Sequence, residues 1–350
     1  MHRHYGITLV EIMVALGLGA FMLVGIITLM ASVSATRTEL GRSSGQIENG
    51  RYAVQILSDD AVLAGFFGPF FNANPTYSNP SPCVDDSTLS DLGIAFGATP
   101  TLPTPVAGYP SGAALPNCIE NPRKNTSNAV DAEVLIVRRV NPESVPAASA
   151  VDGTPYMQIA FCDTQDDFVF TNVKSNLTMQ GSDCSSTNIQ PAWAYEARAY
   201  YIAECDDCSN GGDGIPTLKV VEFANGELAT DPLSLVEGVE DMHIRYGLDL
   251  DASPDGVPDC YVADPTADNP PASGCTVTTQ WSADDTTNWS NVVALEINLL
   301  VRSVDEYSNW KDTRSYDLGR ATRSGPFNDG YKRRVFKTSV MLQNVAGPRE

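Results

Sequence analysis

Histidine is nearly missing from this chain. There are three, two of them within the first four residues, so His243 alone remains in the body of the sequence. A lone histidine inside a strand-like stretch is more often a packed or exposed residue than a catalytic base. The sequence also lacks G-x-S-x-G, H-E-x-x-H, a phosphate loop and a dinucleotide fingerprint. Asp59 and Asp60 are adjacent on a helical stretch and point to different sides, so they form no carboxylate dyad. Asp284 and Asp285 fall in a polar segment that reads as a loop. No catalytic residue is assigned, and the chain is not expected to be an enzyme. Positive charge is scarce as well. Lys and Arg number 22 against 43 Asp and Glu, giving a net charge of −21 and a sequence pI of about 4.4. Such a surface repels phosphate backbones, so nucleic acid is excluded as a partner. The acids are scattered rather than massed in one block, which is the pattern of a solvated surface. No internal repeat is present. Proline is absent from Ile7 to Ala64, so nothing there interrupts a helix.

What that proline-free stretch does contain is a long apolar run. Ile12 to Ala31 is twenty residues without a charge, with Thr28 as the only polar side chain. Twenty helical residues match the hydrocarbon thickness of a bilayer. A single carboxylate, Glu11, lies at its start. Such a group is expensive in lipid, by roughly 2.5 to 3.5 kcal/mol at a helix centre, so something must compensate for it. Arg3, with His2 and His4, precedes the run and keeps the N-terminus cytoplasmic.

Residues 6 to 11 read GITLVE: a glycine, a hydrophobe and a glutamate at the fifth position after the glycine, behind a short basic leader. This pattern resembles the leader of type IV prepilins. The resemblance implies cleavage by prepilin peptidase between Gly6 and Ile7, methylation of the new amine, and pairing of Glu11 with the N-terminal amine of a neighbouring subunit. The family usually has Phe or Met where Ile7 stands. Two plainer readings compete. One is a cleaved secretory signal, for which Val33-Ser34-Ala35 offers a small-residue site, although such signals carry only about 7 to 15 apolar residues. The other is a simple membrane anchor with an incidental glutamate.

The helix is expected to leave the bilayer and continue in water. Leu40, Ile47, Val54 and Ala61 recur every seven residues, with Leu57 and Ala64 beside them, as a narrow packing stripe. Gly41, Gly45 and Gly50 each weaken a helix by about 1 kcal/mol relative to Ala, so bending or local melting is expected there. Gly65 and Gly68-Pro69 end it. Residues 72 to 130 are dominated by Pro, Ser, Asn, Gly and Thr and form no long regular element. Strands are expected over 132–140, 157–162, 194–204, 218–223, 241–248, 292–303 and 334–343, all rich in branched and aromatic residues. Without intervening helices they imply an antiparallel sheet.

The cysteines are eight: Cys83, Cys118, Cys162, Cys184, Cys205, Cys208, Cys260 and Cys275. With an export signal upstream they read as disulfides. Eight cysteines allow about 105 pairings, so spacing alone fixes none; nearest-neighbour pairing closes one loop per bond. Cys83 with Cys118 would staple the Pro-rich loop. Cys205-x-x-Cys208 follows a strand-like stretch and precedes a turn, which favours a structural clip over a redox motif or half of a zinc site.

The family resemblance extends beyond the leader. IENGRYAVQILSDDAVLAGFFG (47–68), LVEGVEDMHIRYGLDLD (235–251), WSNVVALEINLLVRS (289–303) and YKRRVFKTSVMLQN (331–344) resemble, in order, segments of PilW-type minor pilins. The Pro-rich segment shows no such likeness. The resemblance implies an α+β, pilin-like fold. Its parts are a leader (1–6), an N-terminal helix (7–66, membrane-spanning over about 7–33) and a β-rich head (67–350) enlarged by a second sheet or lobe. The implied function is type IV pilus assembly: priming filament initiation and sitting at the tip with other minor pilins and the major pilin, in service of adhesion and twitching motility. The precursor would lie in the inner membrane with its head in the periplasm, and the mature chain in the fibre. Alternatives on the same scaffold are a tip adhesin or adhesin carrier and a type II secretion pseudopilin.

One loop could take a cation. Counting Asp251 as position 1 of a calcium loop, Ser253 falls at 3, Asp255 at 5, Gly256 at 6 and Asp259 at 9, and Asp249 could assist from outside. The bidentate Glu is missing, because position 12 is Val262. Weak calcium binding and a plain acidic turn are the two readings; no other cofactor is expected.

Overall fold

Helix α1 runs without interruption from Leu9 to Leu63 in a computed structural model that describes residues 8–69, 76–84, 89–95, 100–124, 131–266, 268 and 281–349. Gly6, Ile7 and Cys275 lie outside these residues. Thr8 caps the helix: the Glu11 amide donates to the Thr8 carbonyl at 3.0 Å and to its Oγ1 at 3.3 Å. A carboxylate in the first turn also suits the positive end of the helix dipole. The chain divides into two units, Met1–Glu48 and Asn49–Glu350. In the first unit, Ile12 to Ala31 is exposed along its length, and the helix is long and apolar enough to cross a membrane.

The second unit holds the rest of α1 and the head. The helix does not melt at its glycines. At Gly50 the reason is a close approach, because a Cβ there would sit 2.2 Å from a ring carbon of Phe336. The glycine admits an aromatic side chain from a distant strand. The packing stripe also differs from the heptad reading. Ala53, Leu57, Ala61 and Ala64 are fully buried, while Val54 is half-buried and Leu40 is 65% exposed. Spacings of four, four and three follow the 3.6-residue period of a straight helix. Gly65, at φ +74°, turns the chain out of the helix as left-handed C-terminal glycines do. Its amide donates to the Arg138 carbonyl at 3.0 Å. The carbonyls left open at this end are met from the far end of the chain: Asn344 Nδ2 donates to Val62 O (3.2 Å) and Ala64 O (3.3 Å).

The strands are β1 (Thr76–Ser78), β2 (Thr101–Pro103), β3 (Val106–Tyr109), β4 (Val134–Val140), β5 (Tyr156–Ile159), β6 (Phe168–Thr171), β7 (Ala192–Ala203), β8 (Thr217–Ala224), β9 (Glu227–Leu228), β10 (Leu233–Glu237), β11 (Val239–Leu248), β12 (Cys260–Val262), β13 (Val292–Arg302) and β14 (Arg333–Met341). β1 and β2 form a small parallel pair. An eight-stranded antiparallel sheet runs β10-β8-β7-β4-β3, with β5 and β6 beside β7 and β9 beside β8. A four-stranded antiparallel sheet runs β12-β11-β13-β14. The fold is therefore α+β, with one long helix and two main sheets. Ala53, Leu57 and Ala61 of α1, with Ala64 just beyond it, join Val134–Val137 and Ala199–Ala203 of the larger sheet, and Met242, Ile244, Leu295, Ile297 and Leu299 of the smaller, in one core. A second core, around Met157, Phe168, Phe170 and Tyr195, lies in the lobe built by β5 and β6.

Two short helices complete the head, α2 (Asp285–Ser290) and α3 (Gln343–Ala346). The first corrects the loop reading at Asp284-Asp285. Asp284 is an N-cap, its carboxylate accepting from the Thr287 amide at 2.9 Å. Disulfides join Cys83 to Cys118, Cys162 to Cys184 and Cys205 to Cys208. Cys260 is also disulfide-bonded.

Candidate functional site

The geometry that matters for a helix-bearing subunit is how the head grips its helix. Successive side chains of a strand face opposite sides of the sheet, so Arg138 and Arg139 of β4 serve two faces. Arg139 reaches α1: its Nε donates to Asp60 Oδ1 at 2.9 Å, and its Nη1 ion-pairs with Glu196 at 2.7 Å. Glu196, Arg198 and Tyr200 alternate along β7 and therefore share that face. Register brings Arg139 opposite Glu196 and Arg198 opposite Glu222. Arg198 donates to Asp60 Oδ1 (3.0 Å) and to Glu222 (2.7 Å), and Tyr200 Oη donates to Asp60 Oδ2 (2.8 Å). One buried helix carboxylate thus receives two guanidinium groups and a phenol. Burial opposes the charge on Arg198, yet Asp60 and Glu222 hold its pKa above the ordinary arginine range. Burial, reinforced by the Asp60 charge, raises the Tyr200 hydroxyl well above ordinary tyrosine, so it remains a donor.

Arg138, on the other face, anchors the Pro-rich segment. Its guanidinium is buried and donates to Thr104 O (3.0 Å), Thr104 Oγ1 (2.8 Å), Asn79 Oδ1 (3.1 Å) and Pro80 O (2.6 Å). No carboxylate pairs with it among the described residues, and burial lowers its pKa. The segment is thus fixed by the Cys83–Cys118 staple and by one buried cation.

His243 lies on β11 with Nδ1 2.8 Å from Glu133 Oε1. Arg320, from the long connection between β13 and β14, binds Glu133 at 2.8 Å and Asp241 at 2.8 and 3.0 Å. Ser324 adds a bond to Asp241 at 3.1 Å. A second ion cluster joins Arg333 to Glu240, Asp329 and Asp312. Both clusters pin the connection against the smaller sheet. Burial raises Asp241. In Glu133 burial pushes the same way, but bonds from His243 and the Arg320 charge win and hold it below the usual range. The histidine is thereby a packed partner in an ion cluster. A shallow cleft of about 630 Å³ opens elsewhere in the head, lined mainly by Pro146, Ala147, Leu177, Ile189 and Pro191, with Lys174 among them.

The candidate calcium residues do not converge. Asp249 is buried; its Oδ2 accepts from the Gly256 amide (2.9 Å) and pairs with Arg349 (3.3 Å). Asp259 accepts from the Leu250 amide (2.7 Å) and Asp255 from the Val257 amide (2.9 Å). Gly256 has φ +78°, and a Cβ there would meet the Ala346 carbonyl at 2.6 Å. The glycine lets the loop pass under α3. Among the described residues no group of three or more His, Cys, Asp or Glu is placed to hold a metal. The exposed Asp251 is raised by the charge of Asp259 first, then by slight desolvation and by Asp255 and Asp249. The carboxylates organise the turn and mildly repel one another. On this geometry millimolar calcium should leave the melting curve unmoved. A rise in melting temperature that vanishes in Asp251→Ala with Asp255→Ala would show that the loop remodels around the ion.

Of the assembly residues, Glu11 is exposed in the first turn of α1, while Gly6 and Ile7 lie outside the described residues. Sequence reading missed the Asp60 seat. The available signal was the Glu-x-Arg-x-Tyr alternation of β7 within an otherwise apolar strand.

A helix seated by a buried carboxylate against antiparallel sheets defines a class: an α+β head built around one helix. Within that class, residues 199–344 match the family model PilW, described as Type IV Pilus-assembly protein W. Over that stretch the chain is similar to the PilW family, whose description points to type IV pilus assembly. The matched stretch runs from within β7 through β14 and so covers the whole smaller sheet. No curated protein and no solved structure matches the chain.

Proposed function

We propose that the protein is a non-catalytic minor pilin that helps to prime type IV pilus assembly and occupies the filament tip with other minor pilins. The observation that carries this reading is the union, in one chain, of a PilW-type head and an exposed apolar helix whose only acid over its first thirty-odd residues is Glu11. Prepilin peptidase cuts between Gly6 and Ile7, and the new N-terminal amine is methylated. Until assembly the helix holds the precursor in the inner membrane with the head in the periplasm. On assembly Glu11 pairs with the N-terminal amine of a neighbouring subunit, so the burial that makes a lone carboxylate costly drives it toward a cation. The head makes the contacts with other minor pilins and the major pilin, and a tip adhesin is a further partner.

N-terminal sequencing of the mature protein tests this. The chain should begin ITLVE and carry a methylated first residue. A chain beginning at Thr36 would establish a conventional signal peptide and remove the pilin reading.

A further inference from the structure

The free edge of the smaller sheet is built to accept a strand. β14 is nine residues long and pairs with β13 in unbroken register from Arg333 to Met341. The phase of that pairing is set by two bonds, Leu342 N to Val293 O at 2.8 Å and Ser303 N to Lys332 O at 2.9 Å. Antiparallel pairs alternate between bonded and non-bonded. The main-chain groups of Arg334, Phe336, Thr338 and Val340 are therefore spent on β13. Those of Val335, Lys337, Ser339 and Met341 point the other way, and among the described residues nothing bonds them. Among the described residues the other edges of the two main sheets are blunted in the usual ways. β12 has three residues, β3 and β6 four each, and β10 five with a bulge between Ser234 and Val236.

We infer that β14 takes up an extended, acidic strand from another pilus subunit, which continues the smaller sheet by main-chain pairing. This rests on the pilin reading above. The charge of the edge selects the occupant. Arg334 and Lys337 are exposed, and neither makes a direct ion pair among the described residues, although Asp317 feels the Lys337 charge, in a chain whose net charge is −21. Arg333, by contrast, is already neutralised within the head. A second copy of this chain is disfavoured twice. Two copies at −21 repel, and antiparallel self-pairing of β14 places Lys337, its central residue, opposite itself, where like charges destabilise a ladder. An acidic strand meets neither obstacle and satisfies both cations.

The test uses the full chain in pilus-producing cells, comparing its amount in sheared pili with that in membranes, and the melting of the purified chain in detergent. Ser339→Pro removes an outward N–H and leaves the bonds to β13 in place, whereas Ser339→Val keeps that N–H. Ser339→Pro and Lys337→Glu should each lower incorporation by about tenfold or more, as the loss of one or two interfacial bonds does, with melting unchanged. Ser339→Val should incorporate normally. Normal incorporation of Ser339→Pro would overturn the inference, as would a Ser339→Val defect equal to that of proline, which would mark a side-chain contact. If proline lowers the melting temperature, Lys337→Glu decides, and its normal incorporation is the overturning result. Absence of the wild-type chain from sheared pili would instead remove the filament reading, and the partner class with it.

Discussion

Asp60→Ala should lower the unfolding free energy of the head by about 3 to 5 kcal/mol, the range for removing one partner of a buried ion pair. The loss exceeds that of a surface pair because of what remains. Arg139 would keep Glu196 as its one ion-pair partner among the described residues, Arg198 its contacts on β7 and β8, and Tyr200 would be a buried phenol that has lost its acceptor. An unsatisfied buried polar group costs about 1 to 3 kcal/mol by itself. Asp60→Asn is the informative companion: it keeps an acceptor oxygen and the shape but loses the charge, so it should fall between wild type and alanine. Denaturant unfolding of the detergent-solubilised chain, followed through the head's β signal, measures both. A change below 1 kcal/mol in Asp60→Ala would show that the helix is held by Ala53, Leu57, Ala61 and Ala64 alone.

Glu11→Ala should abolish or strongly impair entry into pili while leaving the head as stable as wild type. The side chain is exposed on α1 and belongs to the unit that precedes the head, so head folding gives no reason for it to matter. Removing a carboxylate makes the run more apolar and should, if anything, favour retention in the membrane. Processing and membrane association should thus persist while incorporation falls. Immunoblots of membrane and sheared-pilus fractions read this directly, and incorporation at the wild-type level would defeat the proposed pairing with a neighbour's amine.

The two variants also mark what could be read from the chain. The long helix and the seven chief strands were legible because proline-free and branched-residue stretches are local signals. β6 was not: FVFT is only four residues, set behind an acidic turn. Gly50 was misread as a weak point, since helix propensity is local and its reason, Phe336, stands on β14. The helix stripe was placed one residue off at Val54, because a strict seven-residue count drifts from a 3.6-residue helix. The Asp60 seat escaped because the Glu-x-Arg-x-Tyr alternation of β7 marks a polar face but not its partners, which the register of β4, β7 and β8 supplies. The loop at Asp249 shows the same dependence. Its spacing left a weak cation site and an acidic turn both open, and only the fold brings Arg349 to the buried Asp249 carboxylate.

The bonds from Asn344 to Val62 and Ala64 bear on when the head can mature. They link positions 282 and 280 residues apart, so the end of the helix is completed by a residue that follows every strand of both main sheets in the chain. Contacts of such separation form late, because the loop between them must first be closed. Until the residues after β14 dock, the Val62 and Ala64 carbonyls at the helix end stay open. Closing the helix end is therefore a late event of head folding, and an intermediate with an open helix end lasts as long as the two sheets take to assemble.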